Sequence, residues 1–438
     1  MQTDKTTLED LSIFDHNDGF SFFTKLDRCI TSRGREQLLE NFSTPLNCVQ
    51  EILGVQQTLR YLNSQHERWP KHITNGTIMV IEKFYESPID EIPSGVSVFG
   101  AFSYKLFHSY DFSLIKYSAQ HCFDFIRGMQ QMVKNLFRED TPAPMKKFLE
   151  EAKKTVGHHQ FRFLEDWETF SSLSDVQILN FAAFVRYHFK ANMTDLIRIY
   201  ARLDAWQGMA RAGIEFGLTF PEFILSDEPI LTIKGVYHLL LNKPVSYDLE
   251  LNRSQSFLFL TGANMAGKST FIKSVGSSVF LAHTGMGVPA QSMRLSYFDG
   301  LLSNINVADN IAKGESYFYN EVQRIKATVN LINDGKKWLI LIDELFKGTN
   351  VEDAMKCSTT VIEGMLKLRN SLFILSTHLY EIGAELKKYP NIAFRYFETT
   401  VDGEQLQFSY QLKEGISNDR LGYLILKREG VVEMLERL

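Results

Sequence analysis

The sequence predicts a multidomain chain: a mostly α-helical first half, followed by an α/β domain built on a phosphate loop. Three observations carry this reading. Residues Gly262 to Ser269 read GANMAGKS, the complete GxxxxGKS pattern, between the short apolar run Phe257-Leu258-Phe259-Leu260 and the helix-like Thr270-Phe271-Ile272-Lys273-Ser274-Val275. Residues Lys337 to Glu344 form an apolar run closed by two carboxylates, as expected of a buried parallel strand delivering acids to its C-terminal end. Ahead of both, apolar residues recur at helical spacing: Ile52, Val55, Leu59 and Leu62, then Cys122, Phe125, Met129, Met132 and Leu136, then Leu196, Ile199, Leu203 and Trp206. Such stripes are the core faces of a helix bundle.

Each element of the α/β half suggests a chemical role. Between a strand and a helix, the backbone of Gly262, Ala263, Asn264, Met265, Ala266 and Gly267, with the helix start at Lys268, Ser269 and Thr270, presents N–H groups and a positive dipole end to phosphates. Lys268 adds a positive charge toward the β and γ phosphates, and the Ser269 hydroxyl suits Mg²⁺. The loop alone implies ATP or GTP. Asp343 suits the same Mg²⁺, and Glu344, one residue on, suits orienting or deprotonating an attacking water. A further strand, Leu372-Phe373-Ile374-Leu375, runs into Ser376-Thr377-His378, where a lone histidine is ordinarily structural. Finally, Phe318, Val322, Ile325, Val329 and Ile332 mark one helix face, so a helix starts near Ser316. Its free N–H groups and the Ser316 hydroxyl make either an anion site or a plain N-cap.

The segments TGANMAGKST (261 to 270), GVPAQ (287 to 291), ADNIAKGESYF (308 to 318), LIDELFKGTN (341 to 350) and STH (376 to 378) follow one another in the order found in the ATPase domain of MutS proteins, which this half resembles. The likeness takes in His238 and Pro244-Val245-Ser246-Tyr247-Asp248 as an adenine-side segment, and Tyr410-Gln411-Leu412, Gly415, Ser417 and Gly422 downstream. The resemblance implies an ABC-like ATPase using ATP and Mg²⁺, with Glu344, Lys268 and His378 as catalytic residues and His378 sensing the γ-phosphate. It also implies a homodimer through this domain, head to tail, in which Ser316 reaches the partner's γ-phosphate and Gly348, Thr349 and Asn350 lie at the same interface. Ala263, Tyr317, Lys347 and Asn350 depart from the commoner residues, without removing a phosphate ligand or an acid.

In the first half, Lys25-Leu26-Asp27, Thr31, Gly34-Arg35, Leu38-Leu39 and Pro45-Leu46 resemble the start of the MutS core domain, and Leu203-Asp204 with Met209-Ala210 resembles its lever helix. The expected division is therefore 1–75 for the start of the core, 76–227 for helical core and lever, and 228–438 for the ATPase domain. Glu86 to Gly95 is turn-rich and reads as a loop. A core beginning so early leaves no room for a mismatch-reading domain in front of it, and Phe84-Tyr85-Glu86 is a chance match to that domain's Phe-x-Glu wedge. DNA is thus an expected partner without mismatch specificity. The alternative is a regulatory switch acting on a protein or another nucleic-acid structure. A small-molecule kinase would need a substrate lid in place of Ser316 and His378.

Bulk properties narrow the field further. With 438 residues, 44% hydrophobic and 23% charged, the chain has the composition of a folded globular protein, and its net charge of -5 argues against a surface that wraps nucleic acid strongly. The lysine-rich stretch from Met145 to Lys154 contains Glu150 and Glu151 and reads as a solvated helix face. Cys29, Cys48, Cys122 and Cys357 have no metal-ligand spacing, and His158-His159 has no accompanying ligand, so reduced thiols and a cytoplasmic location are expected. The polar, acidic start is not a signal peptide, and the uncharged run Ser274 to Met293 is broken by glycines, His283 and Pro289, so no membrane span is expected.

Overall fold

Short polar side chains set many of the helix starts in the computed structural model, which describes residues 1–14, 20–157, 169–305, 317–402, 405–417 and 430–436. Asp4 opens α1 (Lys5–Asp10), its carboxylate accepting the Thr7 N–H at 2.8 Å. After α2 (Phe22–Leu26), Thr31 caps α3 (Ser32–Ser43) by accepting the Gly34 N–H. There follow α4 (Val49–Ser64) and α5 (Asn75–Glu86), whose Thr74–Thr77 pair forms a reciprocal cap. Then come α6 (Val98–Phe107), α7 (Ser109–Leu136), α8 (Ala143–Val156) behind Pro142, α9 (Asp175–His188) with a Ser174–Gln177 capping box, and α10 (Lys190–Glu215). Residues 87–97 have no helix or strand, as their turn-rich sequence predicts.

These residues form two compact units. One comprises 26–44 and 53–215; the other comprises 1–25, 45–52 and 216–438. The expected grouping of 1–75 is thus divided in the structure, because the amino-terminal segment pairs with strands some 300 residues away.

In the helical unit the predicted stripes point inward: Cys122, Phe125, Met129, Met132 and Leu136 on α7 are fully buried, and Leu196, Ile199, Leu203 and Trp206 on α10 are buried. On α8, Met145, Leu149, Ala152 and Val156 are buried while Lys147, Glu150, Lys153 and Lys154 face solvent, the amphipathic pattern read from the lysine-rich stretch. Phe84 sits in the core, which removes it as a wedge. Asp204 of α10 is wholly buried against α3. Its carboxylate accepts the Ile30 N–H, the Thr31 N–H and the Thr31 hydroxyl at 2.9, 2.9 and 2.7 Å. Burial pushes its pKa up, and the bonds from Ile30 and Thr31 oppose that shift.

The second unit adds β1 (Glu222–Ile224), β2 (Leu231–Val236), β3 (Tyr247–Leu251), β4 (Phe257–Thr261), α11 (Lys268–His283), β5 (Ser292–Ser296), β6 (Gly300–Asn304), α12 (Tyr317–Ile332), β7 (Trp338–Asp343), α13 (Val351–Met365), β8 (Ser371–Ser376), α14 (Glu381–Leu386), β9 (Ile392–Asp402), β10 (Gln405–Glu414) and α15 (Val431–Glu436). One sheet has the order β1-β5-β2-β3, and the larger has β10-β9-β4-β8-β7-β6. From β9 to β6 the larger sheet is parallel. Strands β4, β6, β7 and β8 are buried along their whole length, which explains their unbroken apolar runs. On α12, Ile325 and Ile332 enter the core with Phe318 and Val322 against it, whereas Val329 is 40% exposed.

The first residues complete this unit. Ser303 and Ile305, at and beyond the end of β6, give their N–H groups to Thr7 Oγ1 and Asp10 Oδ2 at 2.9 Å each, and Arg324 of α12 pairs with Asp4 at 2.6 Å. Among the described residues no helix is long and apolar enough to cross a membrane. The four cysteines are free thiols.

Candidate nucleotide site

Three adjacent parallel strands end at one place. Strand β4 lies beside β8, and β8 beside β7, with Leu260 opposite Ser376 and Ser376 opposite Asp343. Their C-terminal ends therefore bring together the Gly262–Ser269 loop, Ser376-Thr377-His378 and Asp343-Glu344, the position where open α/β sheets bind ligands. The sequence elements recognised separately are neighbours because of this strand order.

The loop needs glycine where it turns. Gly262 has φ +138 and Gly267 φ +110, and a Cβ on Gly262 would sit 3.1 Å from the Phe397 carbonyl oxygen. Met265 takes φ +69 without that freedom and is 76% exposed at the loop tip, beside Asn264. Ala263 and Ala266 are buried beneath it. Gly267 leads into α11, where Lys268, Ser269 and Thr270 form the first turn. The Lys268 ammonium, 5% exposed, donates to the carbonyls of Gly262 and Ala263 at 2.7 and 3.0 Å. Burial lowers its pKa, while Glu344 and Asp343 act to raise it.

Asp343, at the end of β7, is 8% exposed and accepts two hydroxyls, Ser269 on Oδ2 and Ser376 on Oδ1. Ser376 enters the sequence reading only as part of the STH segment, with no role of its own; the signal for its role is its place opposite Asp343 in the strand register. Glu344 has φ +65, and its N–H donates to the Ser376 carbonyl at 2.9 Å. Its carboxylate reaches Lys347 at 3.2 Å and stands 3.8 Å from His378 Nδ1, and His378 itself is half exposed. From α12, Glu321 accepts the N–H groups of Lys347 and Gly348, which fixes the loop after the acid pair. Asn350 caps α13 by accepting the Asp353 N–H at 2.9 Å.

Gly267 to Thr270, Asp343, Glu344 and Lys347 line a cleft of about 650 Å³ that extends to His238, Leu241, Val245, Tyr247 and Tyr410. Tyr247 is held edge-on by Phe271 and Phe397, with ring centroids 5.5 Å away in each case. Tyr410 is 41% exposed and has φ +53 at an irregularity in the β9–β10 pairing, an unusual conformation for a bulky residue. His238 is neutral, its pKa lowered to about 4 chiefly by burial, and its Nδ1 has no hydrogen-bond partner among the described residues. An anion-binding loop, a hydroxyl–carboxylate pair, a further acid and an aromatic-walled end with an unsatisfied ring nitrogen together fit a nucleotide triphosphate better than a smaller anion. Ser316, Gly422 and the His158-His159 pair lie outside the described residues.

Comparison with known proteins finds relatives over this half of the chain. Residues 258–435 match the family model of MutS domain V. The chain is 32% identical over 240 residues to the DNA mismatch repair protein MutS of Persephonella marina, a stretch covering 53% of this chain and 27% of that protein. It is 32% identical over 245 residues to the DNA mismatch repair protein MutS of Carboxydothermus hydrogenoformans, covering 54% and 29%. With the DNA mismatch repair protein MutS of Thermotoga maritima it shares 28% over 235 residues, covering 53% and 29%. The match thus spans less than a third of each relative's own length. In its carboxy-terminal half the chain is thus similar to MutS proteins, through the segment that matches their domain V.

Proposed function

We propose that this chain is an ABC-like ATPase of the MutS type, which hydrolyses ATP in the cleft at the ends of β4, β7 and β8. The observation that carries the reading is Asp343 receiving the Ser269 hydroxyl beside the phosphate loop, with Glu344 next to it in the same cleft. Asp343 and Ser269 would hold Mg²⁺, whose preference for hard oxygen ligands they meet, and the ion would neutralise phosphate charge. Lys268 exchanges the carbonyls of Gly262 and Ala263 for phosphate oxygens. Gly262 through Gly267, with the N–H groups of Lys268, Ser269 and Thr270, wrap the phosphates. Glu344 accepts a proton from the water that attacks the γ-phosphorus as the bond to ADP breaks, and His378 donates to the γ-phosphate. The base lies between Tyr410, Tyr247 and His238.

Two copies would work head to tail, Ser316 of one completing the γ-phosphate site of the other. Support for this comes from the family's arrangement and from the position of Gly348, Thr349 and Asn350 beyond the acid pair. The decisive experiment is Lys268→Ala. Hydrolysis should fall at least 100-fold and ATP binding should weaken strongly, because the loop then lacks its only lysine. Unchanged turnover in the purified variant would refute the assignment.

The relatives are named for DNA mismatch repair, and we propose DNA as the partner that nucleotide state controls, in repair or recombination. The net charge of -5 favours a second reading, a switch acting on a protein. Mobility shift with homoduplex, mismatched and branched DNA, with and without ATP, separates them: no shift on any substrate at low salt leaves the protein-partner reading.

A further inference from the structure

Helix α6 exposes what a helix in a bundle usually buries. Val98, Phe99 and Phe107 are 80, 80 and 77% exposed, Phe102 and Leu106 are 60 and 63%, and Tyr110 just beyond is 80%. At about 150–200 Å² per large side chain, this face presents on the order of 800 Å² of mostly apolar surface. That is the share one partner contributes to a standard protein interface, and it exceeds the roughly 300–600 Å² of the largest apolar patch on most monomers. Leaving such a face in water is costly, so its occupant can be sought in its shape and charge.

Both favour a second copy of the same helix. Val98, Phe102 and Leu106 form one ridge at four-residue spacing, and Phe99, Ser103 and Phe107 form the next, so α6 carries the two i±4 rows that interdigitate when equivalent helices cross. Beside the second ridge runs a groove of about 340 Å³ lined by Pro93, Val96, Phe99, Gly100, Phe107 and His108, large enough for a phenyl ring. Knob and hole therefore sit on one surface, the condition for a two-fold interface in which each copy gives what it receives. Charge does not oppose the pairing. From Pro93 to Tyr110 the sequence holds no Asp, Glu or Arg and a single lysine, Lys105, which is already paired with Asp175 at 2.8 Å. A nucleic acid would find little cationic charge here.

We propose that α6 is a homodimerisation helix, packing against α6 of a second copy about a two-fold axis with Phe102 entering the opposite groove. The inference does not rest on the nucleotide site. Its test is sedimentation velocity of the full chain at 1–100 μM in EDTA without nucleotide, so that no γ-phosphate bridges two copies. The wild type should dimerise. The double variant Phe99→Glu/Phe102→Glu, and separately Leu106→Lys, should weaken association at least 100-fold with unchanged circular dichroism, since all three side chains are exposed. Leu225→Glu, an equally exposed apolar position in the other unit, should dimerise as the wild type does. A wild type that stays monomeric at 100 μM, or a dimer indifferent to both α6 variants, overturns the proposal.

Discussion

Glu344 and Lys347 form an ion pair at 3.2 Å, and the same carboxylate oxygen stands 3.8 Å from His378 Nδ1. The side chain of Glu344 is 17% exposed, so the Lys347 ammonium rather than bulk water fixes where it points. A carboxylate held this way is oriented before substrate arrives. Replacing it by the isosteric amide keeps its shape but removes the proton acceptor and the charge that Lys347 pairs with. Glu344→Gln should bind ATP within about threefold of wild type while phosphate release falls at least 100-fold. In the Phe99→Glu/Phe102→Glu background, where α6 no longer associates, ATP-bound dimers should then accumulate, and light scattering that finds only monomers there with ATP bound would count against the composite site.

Tyr410 tests the base end of the cleft. Stacking of a base on an aromatic ring is worth about 1–3 kcal/mol by alanine substitution, so Tyr410→Ala should weaken ATP binding by about 5- to 150-fold. The turnover of saturated enzyme should change little, because Tyr410 belongs to the wall of the cleft beyond the phosphate loop. An unaltered Kd by fluorescent-nucleotide titration would remove Tyr410 from the site.

Acid should destabilise the α/β unit through His283. This ring is completely buried: Nε2 accepts the Phe298 N–H at 3.0 Å, and Nδ1 therefore donates to the Val279 carbonyl at 2.8 Å. The folded protein holds it neutral, its pKa lowered to about 3, chiefly by burial. The unfolded chain protonates near pH 6.5, so below that pH the unfolded state binds the extra proton and stability is lost as pH falls from 6.5 toward 3. The cost is up to about 1.4 kcal/mol per pH unit, and His238 adds in the same direction down to about pH 4. Urea unfolding at pH 7.5 and 5.0 should show the loss, and His283→Gln should show a shallower one. Identical slopes would mean that His283 is not the sensor.

Gly34 owes its identity to Asp204. A Cβ there would lie 2.2 Å from the Asp204 carboxylate oxygen, so Gly34→Ala must displace a buried group that satisfies three donors from Ile30 and Thr31. Overpacking together with broken buried hydrogen bonds should cost the helical unit about 2–4 kcal/mol. A drop in melting temperature of under about 2 °C would show that the carboxylate can move aside freely.

Much of the α/β unit was legible because burial on both faces writes a strand as an unbroken apolar run, as in β4, β7 and β8. The phosphate loop was legible because its glycines answer to backbone geometry at Gly262 and Gly267. What escaped was non-local. Ser376 is one serine among many until strand register sets it opposite Asp343. Helix α1, KTTLED, has no apolar stripe to betray it, since Asp4, Thr7 and Asp10 dock it by polar bonds to β6 and α12. Val329 keeps the helical spacing of its neighbours yet remains partly exposed, because periodicity gives a face and not its width. The apolar residues of α6 would ordinarily be assigned to a core for the same reason.

The docking of the first residues has a cost in time. Asp4 and Asp10 find their partners at Ser303, Ile305 and Arg324, 293 to 320 residues later. At about 5–20 residues per second on the ribosome, those partners emerge roughly 15–60 s after the segment that needs them. The intervening helical unit, residues 26–44 and 53–215, is fully synthesised well before then. A nascent chain therefore carries a folded insert between an amino-terminal strap with nothing to hold and a sheet still to be made. Chaperone dependence during synthesis should concentrate on that strap.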